Sequence, residues 1–287
     1  MNITAQMVKE LRDKTGAGMM DAKKALVEVD GDMEKAAELL RQKGIASAEK
    51  KMGRIAAEGR VESYTDSNCG ALIEVNCETD FVAKNDDFKA LVSGLAKNVA
   101  VLNPASVEDF LASKCADCGK VIEDALKEKI ASIGEKITVR RFVRYEGAVA
   151  SYIHNGKIGV LLSADKEDKE LLNDICLHIA SCAPKFISRE EIPQSVIDEE
   201  TRIEMGKEDL LKKPENIRAK IVEGRVNKIM AERCLLEQPF VKDPNQTIAQ
   251  LIEGKLTLKA FTRYELGEGL EKRQDNFAEE VMAQVKG

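Results

Sequence analysis

Apolar residues at helical spacing open the chain. Met7, Val8 and Leu11 share one face of a first helix that Gly16 stops, and Ala22, Ala25, Leu26 and Val29 mark a second over about 20–29. Asp30-Gly31-Asp32 predicts a turn. Asp32 is placed to N-cap a third helix carrying Met33, Ala36, Ala37 and Leu40, with Gly44 at its C′ position. This pattern predicts a compact three-helix module. The stripe then disappears, and the Ala- and Lys-rich stretch 45–54 reads as a linker.

Farther on, the period changes from helical to alternating. Glu58-Gly59-Arg60-Val61-Glu62-Ser63-Tyr64 recurs as Glu146-Gly147-Ala148-Val149-Ala150-Ser151-Tyr152. Each copy runs through a polar turn into a β-type run (71–75 and 158–163) and then an amphipathic helix (about 87–102 and 169–181). Alternation and the Asn155-Gly156 pair predict hairpins. Further strands are expected at 137–145 and 256–264, so the pattern predicts two α+β lobes built from one duplicated hairpin-plus-helix unit. Residues 188–233 are dense in charge. Val196, Ile203, Leu210, Ile217, Ile221, Val226 and Ile229 fall on helix faces there, and Pro214 suits the first turn of a second helix. Two antiparallel helices joined near Lys212-Lys213 are expected, a coiled-coil hairpin inserted into the second lobe. Asn276, Phe277, Val281 and Val285 predict a last short helix, too short to be stable unless docked.

Composition narrows the function classes. Length 287 suggests about two domains. No apolar run approaches the ~20 residues of a membrane span, and charge begins too early for a signal peptide. A net charge of −6 gives no basic footprint for direct nucleic-acid binding. Seven cysteines, an odd count, favour reduced thiols and a cytoplasmic setting. Aromatic residues are only 4% of the chain, with eight Phe and no Trp.

Catalytic motifs are missing. Each Gly-Lys pair lacks the following Ser or Thr that a phosphate loop needs, and Gly16-Ala17-Gly18 has neither a preceding strand nor the final glycine of a dinucleotide fingerprint. No Gly-x-Ser-x-Gly elbow occurs. Cys115-Ala116-Asp117-Cys118 has the spacing of a thiol pair, and His178 and Cys182 lie at i, i+4. Together they define one rival reading, a zinc- or thiol-dependent enzyme. A second rival is a scaffold whose binding arm is 188–233.

Two segments stand apart. Leu11-Arg12-Asp13-Lys14-Thr15-Gly16-Ala17-Gly18-Met19-Met20-Asp21 places two glycines and a methionine pair between helices. The methionines offer either flexible apolar surface for a partner or filling for the helical core. Glu74-Val75-Asn76-Cys77-Glu78-Thr79-Asp80-Phe81-Val82-Ala83-Lys84-Asn85 begins as a strand and breaks at Thr79-Asp80. Phe81 is there either an exposed wedge, with Asp80 holding the turn through local hydrogen bonds, or a loop residue folded onto the core.

These segments resemble the two signatures of the bacterial elongation factor Ts family, guanine nucleotide exchange factors of elongation factor Tu (EF-Tu). The likeness extends to Ala131-Ser132-Ile133-Gly134-Glu135, Tyr152-Ile153-His154-Asn155-Gly156 and Phe261-Thr262-Arg263-Tyr264-Glu265-Leu266-Gly267-Glu268-Gly269. It implies an α+β fold in six stretches. An N-terminal three-helix module similar to ubiquitin-associated domains, with its linker, takes 1–54. The core N-subdomain follows at 55–140, and the core C-subdomain is split into 141–187 and 234–265. The coiled-coil hairpin is inserted at 188–233, and a C-terminal helical module takes 266–287. The core sheets are expected to be antiparallel.

The resemblance also implies site residues. Asp80, Phe81, Val82 and Ala83 correspond to the segment that intrudes beside the partner's nucleotide and dislodges Mg²⁺. Arg12, Met19, Met20, Ile133, Gly134, His154, Val281 and Met282 correspond to further contacts with elongation factor Tu. The expected activity involves no bond chemistry, cofactor or metal of the chain's own. The expected partner is the Tu GTPase, with a homodimer or a heterotetramer with it left open.

Overall fold

A computed structural model describes residues 3–211 and 213–271. Its architecture is α+β, as expected, and the chain divides into two compact units. The described residues of one are 3–62, 73–142 and 265–271; the other comprises 63–72 and 143–264 without 212.

Three helices begin the first unit: α1 (Ala5–Thr15), α2 (Met19–Glu28) and α3 (Met33–Lys51). Thr4 caps α1 by accepting from the Met7 amide, and Gly16 closes it at φ 68°. Asp32 accepts from the amides of Glu34 and Lys35, the expected cap of α3. Val8, Leu11, Ala22, Ala25, Leu26 and Ala36 form the buried core of the module.

Two expectations fail here. Gly44 does not end α3, and most of 45–54 is helix rather than linker. A Cβ on Gly44 would stand 3.0 Å from the Cβ of Ala131. The glycine therefore serves close helix packing, and the Ala- and Lys-rich continuation stays helical because both residues are strong helix formers. Ala131 lies in a helix of the core that follows, so α3 is held against the core as well as its own module.

The duplicated core follows. Strands β1 (Glu58–Thr65) and β2 (Cys69–Cys77) lead through α4 (Asp80–Lys84) into α5 (Asp86–Leu102), α6 (Val107–Ala112), α7 (Ile122–Ile133) and β3 (Ile137–Glu146). The second copy has β4 (Ala148–His154), β5 (Ile158–Ala164) and α8 (Lys169–Cys182). The sheet orders match, β1-β2-β3 and β4-β5 followed by the late strand β8. β4 and β5 pair antiparallel from Ala148↔Ala164 to His154↔Ile158. Asn155 and Gly156 turn the hairpin with φ of 53° and 70°, as a type I′ turn requires.

Finer correspondences accompany the repeat. Ser63 and Ser151, equivalent residues 88 apart, hydrogen-bond to each other at 3.0 Å. α5 and α8 both end in left-handed caps, Asn103 and Ala183, each followed by proline. Five residues before each cap lies a buried polar side chain that accepts an amide from a later loop. Asn98 accepts from Ala116 at 2.8 Å, and His178 Nδ1 accepts from Val241 at 3.2 Å. The other ring nitrogen of His178 meets Gln238 at 2.8 Å. Burial lowers the His178 pKa and outweighs that bond, favouring the neutral ring.

Residues beyond Ile187 build a helical hairpin from α9 (Gln194–Met205), α10 (Glu208–Leu211) and α11 (Glu215–Arg233). Arg233 reaches Glu200, while Arg225 reaches Glu204 and Asp209, so α11 runs antiparallel to α9. The expected single first helix instead breaks at Gly206. The break lets Leu210 turn inward to join Val222, Val226 and Met230 in one buried cluster. The chain then returns through β6 (Pro239–Phe240), β7 (Asp243–Thr247), α12 (Ile248–Ile252) and β8 (Leu258–Glu265). α8 packs across β4 and β5 around Val160, Leu162, Leu172, Ile175 and Ile179.

Candidate functional site

The region around Phe81 is built from two chain segments locked reciprocally. At the end of β2, Thr79 caps α4, its Oγ1 accepting from the Val82 amide at 3.4 Å. At the end of α7, Gly134 turns at φ 88° and delivers Glu135 to the same place. One carboxylate oxygen of Glu135 accepts from the amides of Glu78 and Thr79 at 3.1 and 3.0 Å; the other accepts from the Thr79 hydroxyl at 2.6 Å. In return Glu78 accepts from the Lys136 amide at 2.6 Å and from Arg54 at 3.2 Å. Below them the buried Cys77 thiol donates to the Thr79 carbonyl at 3.2 Å. Burial pushes its pKa to about 12, so it remains a neutral donor.

This scaffold presents Phe81 outward. Its exposure is 81%, the highest of the exposed large apolar side chains among the described residues, which excludes the reading in which it folds onto the core. Val82 and Ala83 are half-buried beside it. Two details differ from expectation. Phe81 stands in the first turn of a short helix rather than on a bare turn, and Thr79 and Glu135 hold that turn together with Asp80, whose carboxylate accepts from the Phe81 amide. The Asp80 carboxylate pairs with Lys84 at 2.6 Å; that bond and charge hold its pKa below the ordinary value. At i, i+4 the pair reinforces the helix. Ile133 and Gly134 thus belong to the same construction as Phe81, a link that periodicity does not reveal because 56 residues separate Thr79 from Glu135.

The other predicted residues lie elsewhere. Met19 and Met20 are the first residues of α2 rather than loop residues, 46% and 63% exposed, so they do not fill the helical core. Arg12 is exposed on α1 and paired with Asp13 at 2.8 Å. His154, in the second unit, is exposed at the β4–β5 turn, its ring between Tyr152 at 3.1 Å and Asn155 at 3.3 Å. Val281 and Met282 lie outside the described residues.

The thiol and histidine groups do not assemble. His178 is buried and uses both ring nitrogens in the core, with Cys182 at 3.7 Å. Among the described residues, no group of three or more His, Cys, Asp or Glu could hold a metal ion.

Sequence reasoning also overlooked Glu74. Fully buried on β2, it accepts from Arg140 at 2.9 Å, Arg141 at 2.6 Å and the Gly267 amide at 2.9 Å. The same arginines donate to the carbonyls of Glu268 and Glu265. Burial raises the Glu74 pKa, but these donors outweigh it and the net shift is downward. A buried carboxylate with two arginines thereby fixes the segment leading to the C-terminus. The paired arginines 140–141 and the one charged residue of an otherwise uncharged strand were the available signal.

The family model described as elongation factor TS matches residues 78–268, about two thirds of the chain. The chain belongs to the elongation factor Ts family. Membership carries a role in translation elongation as the nucleotide-exchange partner of elongation factor Tu. The matched span begins at Glu78 and so takes in Asp80–Ala83, Ile133, Gly134 and His154. Arg12, Met19 and Met20 precede it, and Val281 and Met282 follow it. No helix among the described residues is long and apolar enough to cross a membrane.

Proposed function

We propose that this chain binds elongation factor Tu in its GDP form, uses the Asp80–Ala83 segment to displace Mg²⁺ and GDP, and leaves the emptied site for GTP. The observation that carries this reading is the exposure of Phe81 on a turn fixed by Glu135, Thr79 and Glu78. A large apolar side chain held outward gains free energy only by entering a pocket on another molecule. Burying a phenylalanine contributes about 1.5–3 kcal/mol.

Linkage does the rest. If the segment fits the partner only when Mg²⁺ and GDP have moved, tighter binding of the emptied partner weakens GDP by the same factor. The ion is the largest local charge in such a site, so its displacement removes much of the hold on the diphosphate. No bond is made or broken by this chain, which acts as an exchange factor and not as an enzyme. In this reading the N-terminal helices dock on the GTPase domain through Arg12, Met19 and Met20, as a ubiquitin-associated-like module. Ile133, Gly134 and His154 supply further contacts, and Val281 and Met282 touch the partner again. The helical hairpin serves as a coiled-coil arm away from the exchange surface, and the cytoplasm is the site of action.

Stopped-flow release of a fluorescent GDP from elongation factor Tu tests the proposal. Phe81→Ala should slow catalysed exchange about ten- to a hundredfold, the factor equivalent to losing that burial. Its melting temperature should stay close to the parent value. Unchanged exchange by the folded variant would remove Phe81 from the mechanism.

A further inference from the structure

Outside this surface, one pair of reactive side chains has no assigned use. The Gly119 amide bonds to the Cys115 carbonyl at 2.8 Å, winding 115–119 into a single helical turn. The Cys115 amide bonds to the Lys120 carbonyl at 2.8 Å, and Lys114 bridges Val121 to close the loop. From α5, Asn98 receives the Ala116 amide, and Lys97 holds Asp117 at 2.8 Å. In a helical turn, positions i and i+3 bring Cβ atoms to roughly 5–6 Å, near enough for small torsional adjustments to reach disulfide geometry. Cys115 is half-buried and Cys118 is exposed.

We propose that Cys115 and Cys118 form a modification site, a dithiol that a low-molecular-weight disulfide of the glutathione type oxidises reversibly to an intramolecular disulfide. The Cys115 thiolate attacks one sulfur of oxidised glutathione and breaks its S–S bond, and one glutathione leaves as thiolate. Cys118 loses its proton and attacks the Cys115 sulfur of the mixed disulfide, displacing the second glutathione. Two protein thiols are oxidised to one disulfide, and one glutathione disulfide is reduced to two thiols. The surroundings favour this order. Burial raises the Cys115 pKa, but the Cys118 thiol, the amides of Cys118 and Asp117 and the Asn98 side chain lower it further. The Cys118 pKa is raised, chiefly by its bond to Cys115. Thiolate character governs such reactivity.

The other five cysteines provide a control. Cys69, Cys77, Cys176 and Cys234 are buried; Cys182 is exposed, with its pKa raised by burial of its sulfur's surroundings. Cleavage after Lys114 and Lys120 isolates both loop cysteines on one tryptic peptide. The test is to equilibrate the folded full chain with graded oxidised and reduced glutathione, block free thiols with N-ethylmaleimide and weigh that peptide. The expected result is a peptide lighter by two hydrogens, restored by dithiothreitol, at ratios that leave Cys182 free or singly glutathionylated. Cys118→Ser should trap glutathione on Cys115 as a stable mixed disulfide. Two separately glutathionylated cysteines in the parent chain, or a linkage formed only after denaturation, would overturn the proposal. So would iodoacetamide labelling of reduced Cys115 no faster than that of Cys182.

Discussion

Replacing Glu135 with alanine separates presentation of Phe81 from its contact with a partner. The carboxylate makes three hydrogen bonds to Glu78 and Thr79. A hydrogen bond to a charged group contributes about 1.5–3 kcal/mol when desolvated. Here the residues are half-buried, water replaces part of each bond, and Glu78 remains tied to Lys136. A net local loss of about 2–3 kcal/mol follows. That lowers the ratio of held to released turn by about thirty- to a hundred-and-sixtyfold, and the competent fraction sets the apparent exchange efficiency. Catalysed release of fluorescent GDP should therefore fall, up to the loss seen with Phe81→Ala, and Glu135→Gln, which keeps one acceptor oxygen, should fall between. Because Glu135 acts through Phe81, adding Glu135→Ala to Phe81→Ala should cost little more, the non-additivity expected of coupled residues. The reasoning is wrong if the folded Glu135→Ala chain exchanges at the parent rate, or if the two losses multiply in full.

Three further outcomes are expected. Glu74→Gln leaves two arginines facing a neutral side chain and should cost about 3–5 kcal/mol in urea unfolding at neutral pH. Since the folded Glu74 pKa is lowered, its contribution is complete above the unfolded pKa and lost as pH falls through the folded value, so this variant should also show a flatter acid limb of stability. Gly59→Ala should yield little folded protein by circular dichroism. At φ 138° its Cβ would lie 2.1 Å from the Val75 carbonyl oxygen, backbone that cannot move aside. Replacing 194–229 by a short linker should keep exchange near the parent rate. The root must be spared, because Leu235 and Leu236 donate to the carbonyls of Phe186 and Ile187 at 2.8 and 3.0 Å. Loss of exchange by such a folded chain would place the hairpin in the exchange surface.

Most elements were legible because their signals are local. The caps at Asp32 and Gly16 and the Asn155-Gly156 turn act within a few residues, and the repeat of Glu58–Tyr64 at Glu146–Tyr152 is visible as sequence likeness. Phe81 stood out because a chain so poor in aromatics placed one at a strand's end. What escaped was set by tertiary contact. Gly44 carries the residue type of a helix stop, but its missing side chain is used against Ala131. Leu210 lies on the expected face, yet reaching the core required breaking the helix that carries it. The clamp of Glu135 on Thr79 and of Arg140 and Arg141 on Glu74 joins residues more than fifty positions apart, beyond the reach of any periodicity.

The hydrogen bond between Ser63 and Ser151 has a consequence in symmetry. A residue that touches its own counterpart is what a two-fold axis produces when one surface meets its copy in a symmetric dimer. Here the same kind of contact joins two separately encoded residues of one chain. A substitution at Ser63 or at Ser151 therefore alters one side of the contact alone, which no substitution in a symmetric pair can do.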